Sequence, residues 1–213
     1  MLEGLLSLSG YARFFVTLSA VLDPFLAVPI FLALTASRSA AERAGLIRTI
    51  TLTVFAVLAL SALFGEPLLE LLGASLPAFR VGGGLVLLLM ALAMLNAQAG
   101  GVRQSQAEAQ ELASGAVSGV VPLAVPLLAG PGAISTTIIA AQAGGAAHVA
   151  AILACILLVC AMTWIVLTLA QPIGARMGTT GLNIATRLLG LLLAALAIQT
   201  MAEGLKELFP GLA

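Results

Sequence analysis

Long apolar blocks alternate along the chain with short clusters of charged and turn-forming residues. Read between those clusters, six segments stand out, at about Arg13–Ala36, Arg48–Gly65, Pro77–Gln98, Val117–Ala141, His148–Gln171 and Asn183–Leu205. A helix that crosses a bilayer needs roughly 20 predominantly apolar residues, and each segment is close to that. The connections hold most of the charge: Arg38, Glu42 and Arg43, then Glu66 and Glu70, then Arg103, Glu108 and Glu111, then Arg176. The longest and most polar connection, Gly100–Gly115, divides the segments into two groups of three. The pattern predicts an all-α membrane protein of six transmembrane helices, with residues 1–106 and 107–213 as its halves within one membrane domain.

Composition narrows the class further. Of 213 residues, 61% are hydrophobic and 8% charged, whereas about a quarter of an ordinary soluble domain is charged. Nine basic and nine acidic residues cancel. A soluble domain, a disordered chain and a nucleic-acid binder, which needs a basic surface, are thereby excluded. Cys155 and Cys160 share one apolar run; five residues apart they fall on different helix faces, with no His or carboxylate nearby, and read as packing residues. Arg13 precedes an apolar run that continues past Asp23-Pro24 to about Ala36, so the N-terminal segment is expected to be the first span rather than a cleaved signal. Basic residues near span ends set orientation. Arg38, Arg43, Arg48, Arg103 and Arg176 lie on one side, Arg13 and Lys206 on the other. Both termini are therefore expected outside, in the periplasm.

Sliding the sequence by 107 residues places Asp23-Pro24 on Gly130-Pro131, Arg80 on Arg187 and Gly83 on Gly190. One gap-free offset thus aligns two separate places, and Arg is rare in this chain. Each half has three spans, an odd number, so the second copy enters the membrane from the opposite side. The expectation is a pair of inverted repeats, an architecture typical of secondary transporters and shared by some channels.

The first and fourth spans hold the unusual chemistry. Asp23-Pro24 and Pro29 lie near the middle of the first; Pro122, Pro126, Gly130, Pro131 and Gly132 interrupt the fourth, followed by Ser135, Thr136 and Thr137. Proline lacks an amide donor and suits the first position of a helix, so both spans should break and restart at Pro24 and Pro131. Backbone groups freed at that depth are tolerable only within protein or around a wet cavity. Half-helix N-termini suit a carboxylate, and freed carbonyls with Asp23 suit an ammonium or a cation. Gly130 and Gly132 would let a ligand approach the backbone, and Ser135, Thr136 and Thr137 supply hydroxyls. A small zwitterion is the natural ligand of such a site; a packing kink without ligand is the alternative.

Asp23 is the one acidic residue near the centre of a span. Three roles are open to it: N-cap of the half-helix, coupling to a proton or sodium, and contact with a substrate amine. Arg80 and Arg187 each lie about one turn inside a span end, with Asp23, Glu203 or exposed carbonyls as candidate partners; they either gate or snorkel. Gln199 and Glu203 share a helix face, where Gln199 either lines the pathway or bonds a neighbouring helix. Gly82, Gly83 and Gly84 read as close helix packing, His148 as an interfacial residue, and Trp164 as a packing residue.

These pieces resemble the MarC family of bacterial inner-membrane proteins, whose members are described as small neutral amino acid transporters. The match is carried by Asp23-Pro24 with Pro29, by Arg80-Val81-Gly82-Gly83-Gly84, by Pro122–Gly132 with its two flanking prolines and Gly130-Pro131-Gly132, and by Arg187-Leu188-Leu189-Gly190 followed by Gln199 and Gly204. The resemblance implies six spans in two inverted triplets. Leu26-Ala27 departs from the small polar residues many relatives carry after the first proline, which implies a more apolar site.

The functional expectation is a secondary transporter of glycine, alanine or serine, working by alternating access in the bacterial inner membrane. Substrate contacts are expected from Asp23, Pro24, Gly130, Pro131, Gly132, Ser135, Thr136 and Gln199, and coupling or gating from Asp23, Arg80 and Arg187. The partners are the amino acid and the lipid bilayer, with no nucleic acid and no cofactor beyond a coupling proton or sodium ion. No Gly-x-x-x-x-Gly-Lys motif is present to draw on ATP, and no His, Asp, Glu or Cys cluster offers a catalytic site, so an enzyme is not expected. The alternatives are a channel or exporter for another small solute and a non-transporting accessory protein.

Overall fold

The computed structural model describes residues 8–36, 38–96 and 128–212, and these are helical with no strand among them. In chain order the helices are α1 (Leu8–Leu22), α2 (Pro24–Leu34), α3 (Ala40–Leu71), α4 (Leu76–Leu95), α5 (Pro131–Ala141), α6 (Ala146–Thr168) and α7 (Ala170–Leu208), with a 3₁₀ turn at Pro210–Leu212. Four single helices, α3, α4, α6 and α7, and the α1–α2 run Ser9–Leu32 are long and apolar enough to cross a membrane, while α5 is shorter. Pro122, Pro126 and the connection Gly100–Gly115 lie outside the described residues.

Local chemistry sets the helix ends. Ser39 and Glu42 form a capping box at the start of α3: the Ser39 amide donates to Glu42 Oε2 at 2.8 Å, and the Glu42 amide to Ser39 Oγ at 3.4 Å. Two orphan donors are thereby satisfied. Ser75 caps α4 through the Ala78 amide. The break in the first span falls at Asp23 and α2 begins on Pro24; α5 begins on Pro131.

Two span boundaries, the start and the end of the second span, differ from those expected. The second span is the 32-residue helix α3, so Glu42, Arg43, Glu66 and Glu70 are helical rather than in connections. The capping box starts it early, and Pro67 lies inside its last turns; the chain turns only at Gly73, whose φ is 68°. Arg176 is helical too, but the chain breaks two residues later at Gly178 (φ 59°, ψ −176°), inside the expected fifth connection, so α7 is two helices meeting across that kink. A lone charge does not end a helix; a residue able to take positive φ does.

Large apolar side chains divide between two environments. Leu18, Leu22, Ile50, Leu58, Leu87, Ile152, Ile156 and Leu193 are fully or almost fully buried at the core. Leu52, Leu60, Leu157, Leu158, Leu191 and Ile198 are about half exposed or more. Outward-facing leucine in such numbers fits a hydrocarbon surrounding rather than water. Trp164 is also exposed, at 38%, a correction to its expected packing role. It stands near the C-terminal end of α6.

The helices pack in pairs, with the two short helices set against the long ones. α4 lies antiparallel along α7, and α3 against α6; the short helix α2 contacts α6 and α7, and the short helix α5 contacts α3 and α4. The α4–α7 contact is close enough to require glycine. A Cβ on Gly84 would stand 2.5 Å from Met201 Cγ and 3.0 Å from the Ala197 carbonyl; one on Gly190 would stand 2.8 Å from Met94 Cβ and 3.1 Å from the Ala91 carbonyl. Small residues that let backbones approach are how helices associate in a solvent as apolar as they are.

Candidate functional site

The two helix restarts differ in chemistry. Asp23 adopts the left-handed region (φ 43°, ψ 70°), and its Oδ1 accepts from the Leu26 amide at 3.3 Å. It caps α2 and is fully buried. Gly130 is extended (φ −70°, ψ 176°), has no side chain to cap α5, and accepts from the Ala133 and Ile134 amides through its carbonyl. Asp or Asn is tolerated in the left-handed region because a short polar side chain bonds locally, as Asp23 does here.

A cavity of about 300 Å³ opens at the end of the bundle where α1 and α4 begin and α5 and α7 end. Its charged walls are Arg13 from α1, Arg80 from α4, and Glu203 and Glu207 from α7. Thr17, Thr136, Gln199 and Thr200 add polar groups, and Phe14, Leu87, Ile139 and Leu196 give apolar surface. Arg80 forms an ion pair with Glu207 through Nη1 and Oε1. Gln199 Nε2 donates to Glu203 Oε1 at 3.1 Å. Two cations and two anions therefore share one small cavity with balanced charge.

The structure brings only part of the predicted site together. Thr136 and Gln199 line this cavity, and so does Arg80. Thr136 Oγ1 meanwhile donates to the Gly132 carbonyl at 2.8 Å. Ser135 is buried against Gly83, where an added Cβ would lie 2.9 Å from Ser135 Cβ. The space beside Gly132 is filled by α4: an added Cβ would meet Met90 Sδ at 2.5 Å. Pro24 and Gly130 are buried and Pro131 is exposed; none of these lines the cavity, nor does Asp23. Thr137 is fully buried, and its Oγ1 has no partner among the described residues.

Arg80 finds neither Asp23 nor Glu203 but Glu207, 127 residues away. Glu207 was legible as the third member of a stripe, Gln199, Glu203 and Glu207, spaced four apart on one helix face. Arg187 is exposed and has no carboxylate partner among the described residues. The matched positions of the two arginines therefore do not give matched surroundings.

His148, expected as an interfacial residue at the start of a span, lies in the first turn of α6 and is buried against its neighbours. It is 3% exposed, with Nε2 at 2.8 Å from the Ala140 carbonyl and Nδ1 at 3.0 Å from the Tyr11 hydroxyl. A carbonyl only accepts, so Nε2 donates to it, and Nδ1 lies within hydrogen-bond distance of the Tyr11 hydroxyl. This brace ties α1, the end of α5 and the start of α6 together beside the cavity, whose wall includes Ala140. Burial of His148 follows from α1 covering the first turn of α6, which a single-span reading does not reveal.

Comparison with known proteins agrees over the whole chain. The family described as MarC family integral membrane protein matches residues 8–209. The chain is 34% identical to the UPF0056 membrane protein YhcE of Escherichia coli (strain K12), covering 100% of this chain and 99% of that relative. It is 36% identical to the UPF0056 membrane protein YvbG of Bacillus subtilis (strain 168), covering 92% and 94%. It is also 36% identical to the UPF0056 membrane protein MJ1677 of Methanocaldococcus jannaschii, covering 90% and 94%. No solved structure gives a significant match. With its apolar helices long enough to span a bilayer several times and a family match along nearly its full length, the chain is a multi-pass membrane protein that belongs to the MarC family.

Proposed function

We propose that the chain is a secondary transporter of small neutral amino acids of the glycine, alanine and serine class. The observation that carries this reading is the cavity lined by Arg13, Arg80, Glu203 and Glu207. A zwitterion needs both signs within a few ångströms, and this cavity is lined by both signs together with hydroxyl and amide groups. Its volume, about 300 Å³, is at the lower end of ligand pockets, which favours a small solute. The reading is one of binding and passage, without chemical transformation, with a coupling proton or sodium ion routed through Asp23.

Alternating access calls for two related halves, and several features support inverted repeats. At an offset of 107, α2 (Pro24–Leu34) falls on α5 (Pro131–Ala141) at both ends. The short helix α2 packs on α6 and, at Gly174, on α7, and the short helix α5 packs on α3 and α4. Met94 and Met201, which face Gly190 and Gly84, are also 107 residues apart. The distribution of basic residues supports a bacterial inner-membrane protein with both termini, and thus the cavity mouth, in the periplasm.

Purified protein in liposomes should take up labelled glycine or alanine saturably under an ion gradient and show counterflow. Rates that do not saturate, with no counterflow, would indicate a channel. No movement in either direction by folded protein would overturn the reading.

A further inference from the structure

We propose that Arg80 is the carboxylate anchor of the cavity and that Glu207 holds its place until a substrate carboxylate arrives. The identity of the substrate rests on the amino acid reading above; the anchor itself rests on the geometry of Arg80.

Arg80 is placed for this role by its backbone and its burial. Its side chain is 12% exposed, while that of Glu207 is 41% exposed. The guanidinium carries five donors in a planar fork, matched to two carboxylate oxygens at once. Glu207 engages it through one nitrogen and one oxygen, and Nε is shut off from solvent with no acceptor among the described residues. The pair is therefore unsaturated: Arg80 is neutralised but not fully bonded. A small carboxylate that enters the cavity and takes two donors replaces one bond with two, and the exposed Glu207 is free to turn away into water.

Glu207 and Glu203 lie one turn apart on α7. Once Arg80 holds the substrate carboxylate and Glu207 has turned away, Glu203 is the anion left on the cavity wall to face its ammonium. The exchange has a mechanical consequence. Arg80 is on α4 and Glu207 on α7, one in each group of three spans, so their ion pair ties the halves at the cavity mouth. The tie is short, because Gly204 packs there on the Pro77 carbonyl and on Arg80 Cβ, with an added Cβ 2.7 and 3.0 Å from them. Arg187, the arginine at the 107-residue offset, is exposed and lacks such a carboxylate among the described residues, so the anchor belongs to one end of the bundle.

Binding of glycine and of acetate to the full chain in detergent, read by thermal shift, tests this. Glu207→Gln removes the internal competitor and should tighten apparent glycine affinity about fivefold; Arg80→Gln should weaken it about tenfold or more, with Arg80→Lys between Arg80→Gln and the native protein. Acetate should follow the same order. Glycine binding equally to all variants overturns the anchor and leaves the transporter reading standing. Acetate binding to Glu207→Gln but not to Arg80→Gln, with no amino acid bound by any form, supports the anchor and overturns the amino acid reading. No binding of either probe to any form overturns the anchor too. If Arg80→Gln does not fold, an arginine-directed dicarbonyl reagent on the native chain decides: protection of Arg80 by glycine or acetate supports the anchor, and equal modification with and without them overturns it.

Discussion

Asp23 sits at φ 43° with its carboxylate buried and turned onto the Leu26 amide. The position asks for a side chain that tolerates the left-handed region and accepts a hydrogen bond. Asn meets both demands; Ala meets neither. Asp23→Ala should therefore lose about 1 kcal/mol through the cap and more through the backbone, while Asp23→Asn keeps most of the stability. Thermal unfolding in detergent ranks the three forms, and equal stability of Asp23→Ala and the native protein would remove the cap's importance. In the liposome assay, Asp23→Asn separates cap from charge: gradient dependence should be lost if the carboxylate couples an ion, and unchanged dependence leaves Asp23 as a cap. An Asp before a Pro in an apolar run already pointed to a cap. Its left-handed backbone did not show, because it depends on the turn from α1 into α2.

Among elements, the α4–α7 pair is the most demanding contact. Gly82 and Gly84 are two residues apart on α4 and provide a matched comparison. An added Cβ at Gly82 meets nothing within 4 Å, whereas at Gly84 it meets Met201 and the Ala197 carbonyl. Gly84→Ala should destabilise by about 1–3 kcal/mol, the usual cost of forcing atoms into a packed contact. Gly82→Ala should be neutral or slightly stabilising, since Ala is the better helix former. Equal melting temperatures for the two variants would mean the helices separate more easily than their contact indicates. The triplet Gly82-Gly83-Gly84 announced close packing in the sequence. Which glycine meets α7, which meets Ser135 and which faces outward was set by helix rotation, and rotation is fixed only by the neighbours.

For the molecule as a whole, the cavity opens where α1 begins and α7 ends, so its lining should be reached from that side. The two native cysteines, Cys155 and Cys160, are buried, which gives a quiet background for thiol chemistry. A single Gln199→Cys substitution should react with a membrane-impermeant thiol reagent in intact cells, if the termini are periplasmic, and glycine should slow the reaction. Reaction only after the membrane is opened would reverse the proposed orientation. The sequence by itself determined the helical membrane class, the positions of the restarts at Pro24 and Pro131, the presence of close packing at the glycine triplet and the family, because apolar length, proline chemistry and rare charges act locally and leave marks in the order of residues. Only the tertiary structure decided that Glu207 answers Arg80 across 127 residues, that His148 is buried under Tyr11, and that Met90 rather than open space lies beside Gly132. Those facts depend on which helix faces meet, and in a chain so uniformly apolar the hydrophobic pattern carries little information about facing.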